Sequence, residues 1–438
     1  MQWKQSDFDV KSLAPRETPS PLELSVRPDD DIADYVPDDA RVAATIETRK
    51  GAPFAPLFLE KAGPRERIHF DPRNTRVGIV TAGGICPGLN NVVRSIVLEL
   101  IHKYRVRDVI GFPYGFEGLN PAIGLPPVNL THDDVRMVHH HGGCFLGLSR
   151  GKQPIDVMVQ TLVDQKINVL FTIGGDGTLR GAHAIAEEVA RRGLDIAVIG
   201  VPKTIDNDVM FVDKTFGFET AVQAARGFID AAHVEAWGAR NGVAIVKLMG
   251  RESGFIACAA TVASADVNFC LIPEVRYQLE GPRGLFAALE SRLQKRRHAV
   301  IVIAEGCGVA LAGGESERDA SGNLRFASED LDVGPRLRLA IHEYFIAKKT
   351  PVTVRYIDPS YLIRSVPANA SDAIFCEALA RNAVHAGMAG KTDLIIGRLH
   401  RVFVHVPITV ATASRKRVDP DGDLWLAVTE ATGQPRLY

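Results

Sequence analysis

The chain carries the stretch VLFTIGGDGT at residues 169–178, and this stretch decides its fold. The largely apolar run 169–173 predicts a buried strand, and the glycines after it predict the end of that strand. In an open α/β sheet, ligands bind at the carboxyl ends of the strands. Backbone N–H groups of such a turn can bind phosphate oxygens, and the Asp176 carboxylate can bind a divalent cation. The stretch therefore predicts a metal and nucleotide site. The alternative is a plain turn in which Asp176 or Thr178 caps the following helix.

Short apolar runs and amphipathic segments alternate along most of the chain. Strands are predicted at 77–80, 108–112, 169–173, 196–201, 243–248 and 299–304, with a further strand within 348–355. Helices are predicted over 155–165, 178–192, 219–238 and 371–385, and another has Pro87 in its first turn. Strands that alternate with helices form a parallel sheet with right-handed crossovers. The sequence therefore predicts the α/β class.

Composition excludes several functional classes. The chain has 438 residues, of which 46% are hydrophobic and 24% charged, and its net charge is −1. This balance favours neither nucleic acid nor a membrane surface as a partner. The 6 cysteines form no C-x-x-C pair, which indicates a reducing compartment. Because no apolar signal core or membrane-spanning stretch is evident, we expect a cytoplasmic protein.

Two segments differ from this pattern. Residues 1–72 hold nine of the 25 prolines and the acidic run 29–31, and their periodicity is weak. We expect a partly irregular N-terminal extension that packs on the core or on a neighbouring subunit. The segment 313–330 combines glycines with many charges and is predicted to be an exposed loop.

Two further glycine-rich loops could bind phosphate. The loop at 83–90, GGICPGLN, lies between a predicted strand and a predicted helix, where N–H groups and the helix dipole favour anions. The loop at 142–151, GGCFLGLSRG, ends with Arg150, which could place a cation on a phosphate. The alternatives are a tight strand-to-helix turn and a surface loop with a solvated arginine.

The segment 201–208, VPKTIDND, follows another apolar strand. Asp206 and Asp208 lie two residues apart, with Lys203 and Thr204 just before them. One carboxylate could take a proton from a hydroxyl group, while the other could help to hold Mg²⁺ or orient the first. The alternative is an Asx-turn loop.

Three later segments carry single candidates. Arg251 follows the strand at 243–248 and is a candidate phosphate clamp, and Glu305 follows the strand at 299–304 and could accept hydrogen bonds from sugar hydroxyls. The segment 355–365, RYIDPSYLIRS, places arginines on both sides of a tyrosine. The alternatives are surface ion pairs for the arginines and a strand-end cap for Glu305.

In their order and spacing, these motifs resemble the 6-phosphofructokinase family. The resemblance extends from about His69 to about His400, and segments 83–90, 202–208 and 356–365 look most like the plant and trypanosomatid branch. It implies an α/β fold of two Rossmann-like lobes with parallel-rich sheets and an active site in the cleft. The implied domains are an N-terminal extension at 1–72, a nucleotide-binding lobe at 73–217 completed by about 363–400, a sugar-phosphate-binding lobe at 218–362 and a C-terminal segment at 401–438.

The resemblance also implies a reaction, the transfer of a phosphoryl group from ATP with Mg²⁺ to the 1-hydroxyl of fructose 6-phosphate. In this reaction Asp206 is the base, flanked by Thr204 and Asp208, Asp176 binds Mg²⁺, and Arg251 stabilises the transferring group. The implied donor contacts are Gly84, Arg150, Gly175, Asp176, Gly177, Thr178 and Lys203. The implied sugar-phosphate contacts are Thr204, Asp206, Met249, Gly250, Arg251, Glu305, Tyr361 and Arg364. Arg355 would reach the 6-phosphate of a neighbouring subunit's substrate, which implies a homodimer or homotetramer.

Two positions bear on the phosphoryl donor. Pyrophosphate-using relatives typically carry a second Asp at the position of Gly177 and a Lys at the position of Lys203, whereas bacterial ATP enzymes have Gly at the latter position. The combination of Gly177 with Lys203 resembles the ATP-using plant-like branch. A second cross-subunit arginine of the bacterial enzymes falls near Gly242 and is absent here, and Lys247 is the candidate replacement.

Three other readings are a pyrophosphate-dependent enzyme, a non-catalytic regulatory subunit and a dinucleotide oxidoreductase. The last lacks the expected glycine fingerprint. The presence of Asp176, Asp206, Asp208 and Arg251 argues against the regulatory subunit.

Overall fold

The structure is a computed structural model that describes residues 3–13, 15–27, 29–47, 56–307 and 332–438, together with the backbone of two short strands within 308–331. Two compact units divide the chain. The first unit comprises Met1–Ile205, Val209–Gly217 and Val366–Ser414, and the second comprises Asp206–Asp208, Phe218–Ser365 and Arg415–Tyr438.

From residue 76 onward, strands mostly alternate with helices, as the sequence predicts. The strands are β1 (Lys11–Ser12), β2 (Thr18–Pro19), β3 (Arg41–Ala43), β4 (Phe58–Lys61), β5 (Arg67–Ile68), β6 (Arg76–Thr81), β7 (Asp108–Phe112), β8 (Val128–Asn129), β9 (Val169–Gly174), β10 (Ala197–Pro202), β11 (Gly242–Leu248), β12 (Phe269–Leu271), β13 (His298–Ala304), β14 (Glu317–Arg318), β15 (Leu324–Arg325), β16 (Thr353–Ile357), β17 (Lys391–Thr392), β18 (Leu394–Leu399) and β19 (Val402–Pro407). The helices are α1 (Leu89–Leu98), α2 (His132–Val135), α3 (Ile155–Asp164), α4 (Asp176–Arg191), α5 (Phe218–Gly238), α6 (Phe255–Ser264), α7 (Leu285–Arg296), α8 (Val333–Ala347), α9 (Ser360–Ser365), α10 (Ala370–Met388), α11 (Ile408–Ala411) and α12 (Asp423–Thr432).

The first unit is built on a nine-stranded sheet with the order β3-β4-β19-β18-β10-β9-β6-β7-β8. Its five central strands, β18, β10, β9, β6 and β7, are parallel, and antiparallel strands complete both edges. Every residue of β9 and β10 is buried, because helices cover both faces of the sheet. Val169 and Phe171 of β9 pack with α1 and α10, whereas Leu170 faces α3 and α4. This alternation of side chains along the strand divides the core into two layers.

The second unit is built on a four-stranded sheet with the order β12-β13-β11-β16, in which all pairs are parallel. Helices α5 to α8 pack on this sheet. Leu248 pairs with Ala304, so β11 and β13 end at the same level. The residues that follow these two strands therefore share one edge of the sheet.

The predicted α/β class is confirmed, and most predicted elements occur where the patterns place them. Among the details that differ, helix α10 ends at Met388, three residues after its predicted end. Helix α4 begins at Asp176, two residues before the predicted start, because Gly175 provides the N-cap. Helix α1 begins at Leu89 with Gly88 at its N-cap, so Pro87 precedes the helix. The strand expected within 348–355 starts only at Thr353, because α8 continues to Ala347 and Lys349 adopts a positive φ of 54°.

The N-terminal segment contributes to the sheet of the first unit. Strand β4 pairs antiparallel with β19, and β3 pairs with β4. Leu59 and Ile68 are fully buried. Most of the segment 313–330, expected to be an exposed loop, lies outside the described residues, and within it the backbones of β14 and β15 pair antiparallel. In the part of the chain that the structure describes, no helix is long and apolar enough to cross a membrane.

Candidate active site

The turn after β6 lies beside two cations of the first unit. Gly83 has a φ of +93°, which favours glycine, and its N–H donates to the Ser149 carbonyl at an N···O distance of 3.0 Å. A Cβ on Gly83 would lie 3.5 Å from Lys203 Nζ, and a Cβ on Gly84 would lie 3.4 Å from Arg150 Nη2. Lys203 is buried, whereas Arg150 is exposed. This glycine turn therefore has the charge environment of an anion site.

The opening stretch forms the next turn along this sheet edge. Gly175 is the N-cap of α4, and Asp176, Gly177 and Thr178 make up its first turn, where N–H groups and the helix dipole favour anions. A Cβ on Gly174 would lie 2.3 Å from the Thr178 side chain, which explains the glycine there. The Lys203 N–H donates to the Gly174 carbonyl at 2.9 Å, so this turn and the segment after β10 are joined.

Asp176 is the candidate metal ligand of the first unit. Its carboxylate is 23% exposed and lies 3.1 Å from the Arg180 guanidinium. No cluster of three or more His, Cys, Asp or Glu side chains that could hold a metal occurs among the described residues. A single hard-oxygen ligand on a glycine-rich turn fits Mg²⁺, which retains several waters and binds through one or two carboxylates and substrate phosphates.

In the second unit, the turn 206–208 places two carboxylates together. Asn207 adopts a left-handed conformation with φ 57°, and Ser253 Oγ donates to the Asp206 carbonyl at 3.2 Å. Burial raises the pKa of the Asp206 carboxyl to about 7, the charges of Asp208 and Glu305 raise it as well, and two arginines offset part of the effect. Asp206 thus has the protonation equilibrium of a general base that works near neutral pH.

Asp208 is buried and paired with a residue that the motifs did not point to. Arg415 Nη1 lies 2.9 Å from Asp208 Oδ2. Arg415 Nε also lies 3.8 Å from Glu252 Oε1. The only sequence signal for Arg415 is the basic run at 415–417, which also fits an ordinary solvated segment.

The ends of β11 and β13 bring the next candidates together. Arg251 Nε lies 3.2 Å from Glu305 Oε1. Gly250 has a φ of +124°, and a Cβ there would lie 2.2 Å from the Ser253 carbonyl oxygen. The Gly306 N–H donates to the Gly250 carbonyl at 2.9 Å, which fixes both strand ends. Met249 beside them is buried.

Lys247, the candidate replacement for the missing arginine, is paired with two carboxylates of its own chain. Its Nζ lies 2.8 Å from Asp332 Oδ2 and 2.8 Å from Asp358 Oδ2. Burial lowers the pKa of Lys247, but the hydrogen bonds to these carboxylates outweigh it and hold the pKa above the ordinary value. Lys247 therefore ties β11 to the chain that follows β16.

The remaining sugar-phosphate candidates lie on other elements of the second unit. Arg355 is exposed on β16, an edge strand of the four-stranded sheet. Tyr361 on α9 is 78% exposed. The Arg364 guanidinium lies 4.9 Å from the centre of the Tyr361 ring.

The candidates are divided between the two units. The first unit holds Gly84, Arg150, Gly175, Asp176, Gly177, Thr178, Lys203 and the half-buried Thr204. In the second unit Asp208, Arg251 and Glu305 act on the carboxyl group of Asp206, while Arg355 lies on β16, and Tyr361 and Arg364 lie together on α9.

Residues 76–387 match the family model of phosphofructokinase. The chain belongs to the phosphofructokinase family. A relative named ATP-dependent 6-phosphofructokinase from Borreliella burgdorferi is 45% identical over 98% of this chain and 97% of its own length. Another with that name, from Trypanosoma brucei brucei, is 45% identical over 98% of this chain and 88% of its own length.

Solved structures share the family fold. A pyrophosphate-dependent phosphofructokinase from Marinobacter aquaeolei matches with a TM-score of 0.65 and 19% identity, covering 82% of this chain and 91% of its own. The phosphofructokinase of Pichia pastoris in the T-state matches with a TM-score of 0.62 and 21% identity, covering 77% of this chain and 35% of its own. At these identities the likeness supports the fold alone.

Proposed function

We propose that this chain transfers a phosphoryl group from ATP to the 1-hydroxyl of fructose 6-phosphate, giving fructose 1,6-bisphosphate and ADP in glycolysis. Relatives named ATP-dependent 6-phosphofructokinase, at 45–50% identity over most of the chain, support the reaction. The observation that carries the proposal is the Asp206 carboxyl, whose pKa lies near 7 in a cluster that also holds Arg251. Phosphoryl transfer needs such a base and positive charge more than covalent help from the protein.

Asp206 accepts the proton of the sugar hydroxyl. A base that works near neutral pH needs a pKa near that pH, and burial with two neighbouring negative charges supplies it. The charge of Asp208, in contrast, is balanced by Arg415 at 2.9 Å. The two carboxylates of one turn therefore have different environments, which favours Asp206 as the base and Asp208 as its neighbour.

Arg251 stabilises the charge of the transferring phosphoryl group. Its pairing with Glu305 holds the guanidinium in place before substrate binds. We propose that Glu305, Met249, Gly250 and Thr204 hold the sugar. Tyr361 and Arg364 hold the sugar phosphate.

The first unit holds the donor. The turns at Gly84, Gly175, Gly177 and Thr178 offer backbone N–H groups to the phosphates, and Arg150 and Lys203 supply positive charge. Asp176 would hold Mg²⁺, which supplies charge neutralisation between the phosphate oxygens when bound. Arg180, 3.1 Å from Asp176, orients this carboxylate.

A pyrophosphate donor is the second candidate, and Lys203 favours it. The Lys203 ammonium is buried beside Gly83, where it would suit a small, highly charged donor. Gly177 favours ATP, because it adds no second carboxylate beside the donor phosphates.

The deciding experiment compares the two donors in one preparation of the purified protein. Initial rates are measured with fructose 6-phosphate and Mg²⁺, and with either ATP or pyrophosphate. We expect release of ADP that requires both the sugar phosphate and Mg²⁺. Phosphorylation with pyrophosphate and not with ATP would overturn the donor assignment. Tight binding of ATP without turnover of either donor would support a regulatory subunit instead.

We further propose that the protein is a cytoplasmic homodimer or homotetramer. The exposed position of Arg355 on an edge strand suits an arginine that reaches a 6-phosphate bound to a neighbouring subunit. Light scattering after size-exclusion chromatography measures the oligomer. A monomer with full activity would contradict the role of Arg355.

A further inference from the structure

A short basic segment at residues 415–418 packs on the turn that carries Asp206 and Asp208. Arg415 Nη1 lies 2.9 Å from Asp208 Oδ2. The next residue, Lys416, donates its backbone N–H to the Asp208 carbonyl at 2.9 Å. Asp208 is therefore held through its side chain and its backbone at once.

The basic segment is itself fixed on its other side. The Val418 N–H donates to Glu274 Oε1 at 2.9 Å, and the same oxygen accepts the Gly254 N–H at 2.9 Å. Lys416 Nζ lies 5.1 Å from the centre of the Phe255 ring, at the start of α6. The backbone that carries the Arg415 side chain is thus held at two points.

The ion pair with Asp208 is shielded from water. The Asp208 side chain is 8% exposed, and the Arg415 side chain is 18% exposed. An exposed ion pair contributes little, but removal of one partner of a buried pair leaves an uncompensated charge. Loss of the arginine would therefore remove an opposite charge from beside the Asp208 carboxylate and displace that carboxylate.

We propose that Arg415 is a positioning residue for the phosphoryl transfer. By holding Asp208 it fixes the turn 206–208, and it thereby keeps the proton-accepting carboxylate of Asp206 in its working place. This inference rests on the proposed function. Arg415 acts through Asp208. Arg417, the second arginine of the same basic segment, provides a control.

The charges around Asp206 give the inference a second observable. Asp208 and Glu305 raise the pKa of Asp206, in addition to burial, whereas Arg415 and Arg251 lower it. Glu252 lies beyond Arg415, at 3.8 Å from its guanidinium. Loss of the Arg415 charge should therefore raise the pKa of Asp206 further and move the acid limb of the rate profile to higher pH.

The test compares Arg415→Gln, Arg415→Lys and the control Arg417→Gln in the 438-residue chain. Arg417 is 62% exposed and 3.9 Å from Glu252, so its loss should change little. For Arg415→Gln we expect kcat to fall about 100-fold, the effect of a roughly 1 Å misplacement. The KM for ATP should stay unchanged, and the acid limb should move upward. In Arg415→Lys the acid limb of the rate profile should return to its wild-type pH and kcat should recover in part, because the positive charge is retained.

A readout without turnover separates this inference from the proposed function. Amide hydrogen exchange of peptides that cover residues 204–209 should speed up in Arg415→Gln and stay as in wild type in Arg417→Gln. If wild type shows no ATP-dependent turnover, the proposed function fails and the exchange result alone decides whether Arg415 holds the turn. The inference is overturned if Arg415→Gln leaves exchange unchanged, or if its kcat and acid limb match those of Arg417→Gln. A Lys variant that folds keeps the test valid should the Gln variant not fold.

Discussion

Replacement of Asp206 by Asn should have opposite effects on catalysis and on stability. Burial, with the charges of Asp208 and Glu305, raises the pKa of this carboxyl from 3.8 to about 7. A group whose pKa is higher in the folded state binds more protons there. Folding therefore loses stability as the pH rises from the unfolded-state pKa to the folded-state pKa, and the loss is complete above it. Asn does not titrate, so the unfolding free energy of the variant does not fall with pH for this reason.

The size of the effect follows from the shift. A shift of about 3 units corresponds to an upper limit of about 4 kcal/mol at high pH. Between pH 5 and pH 8 the unfolding free energy of wild type should fall, relative to the variant, by about 3 kcal/mol at most. Asp206 is half-buried as a whole residue, so solvent screening reduces this figure and we expect about 1–3 kcal/mol.

The assay is urea unfolding of both proteins at pH 5, 6, 7 and 8, followed by tryptophan fluorescence. In parallel, initial rates of ADP release should give a kcat/KM for fructose 6-phosphate that falls tenfold per pH unit below about 7 in wild type. The variant should lose about 10²–10⁴-fold in kcat, the range for a general base. Asp133→Asn is the control, because that carboxylate is 83% exposed. A stability difference that is equal at pH 5 and pH 8 would refute the raised pKa, and wild-type turnover in the variant would refute the base.

Three further substitutions have defined outcomes. Gly177→Asp adds a carboxylate to the first turn of α4, so the KM for ATP should rise more than the KM for fructose 6-phosphate. Equal increases in a two-substrate kinetic analysis would contradict the proposal that Gly177 favours ATP as the donor. Gly250→Ala forces a Cβ to 2.2 Å from the Ser253 carbonyl oxygen at a φ of +124°. We therefore expect kcat to fall and calorimetry to show destabilisation of more than about 1 kcal/mol, and an unchanged melting temperature would contradict this prediction. Lys247→Met breaks two ion pairs with partly exposed carboxylates and should cost about 2 kcal/mol of stability without a change in the KM for fructose 6-phosphate. A selective rise in that KM would show the sugar-phosphate role instead.

Much of the fold could be predicted from the sequence, because each central strand of the parallel sheets is buried on both faces. Such strands appear as continuous apolar runs between glycine turns, as at 169–173 and 243–248. The strands of the N-terminal segment are harder to predict from the sequence, because β3 and β4 are short and prolines surround them. Strand β4 is placed by its pairing with β19, more than 300 residues away along the chain, as the register of His405 with Glu60 shows, and β3 pairs with β4.

The candidate site divides in the same way. The approach of Arg251 to Glu305 follows from a sequence rule, because residues after two adjacent parallel strands share one sheet edge. The pairing of Asp208 with Arg415 spans 207 residues and involves a segment without strand or helix, so no periodicity could indicate it. The raised pKa of Asp206 could not be predicted from the sequence either, since it depends on burial and on charges from separate segments.

The pattern of charges in the second unit explains why one carboxylate can serve as a base there. Glu305 lies beside Arg251 and Asp208 beside Arg415, so each acidic neighbour of Asp206 brings a cation of its own. These cations lower the pKa of Asp206, but burial and the two carboxylates outweigh them and leave it near neutral pH. The same two arginines therefore have a second effect besides holding their partners. A cluster without them would push the pKa of Asp206 above neutral pH, and the carboxyl would then stay protonated when the sugar hydroxyl has to lose its proton.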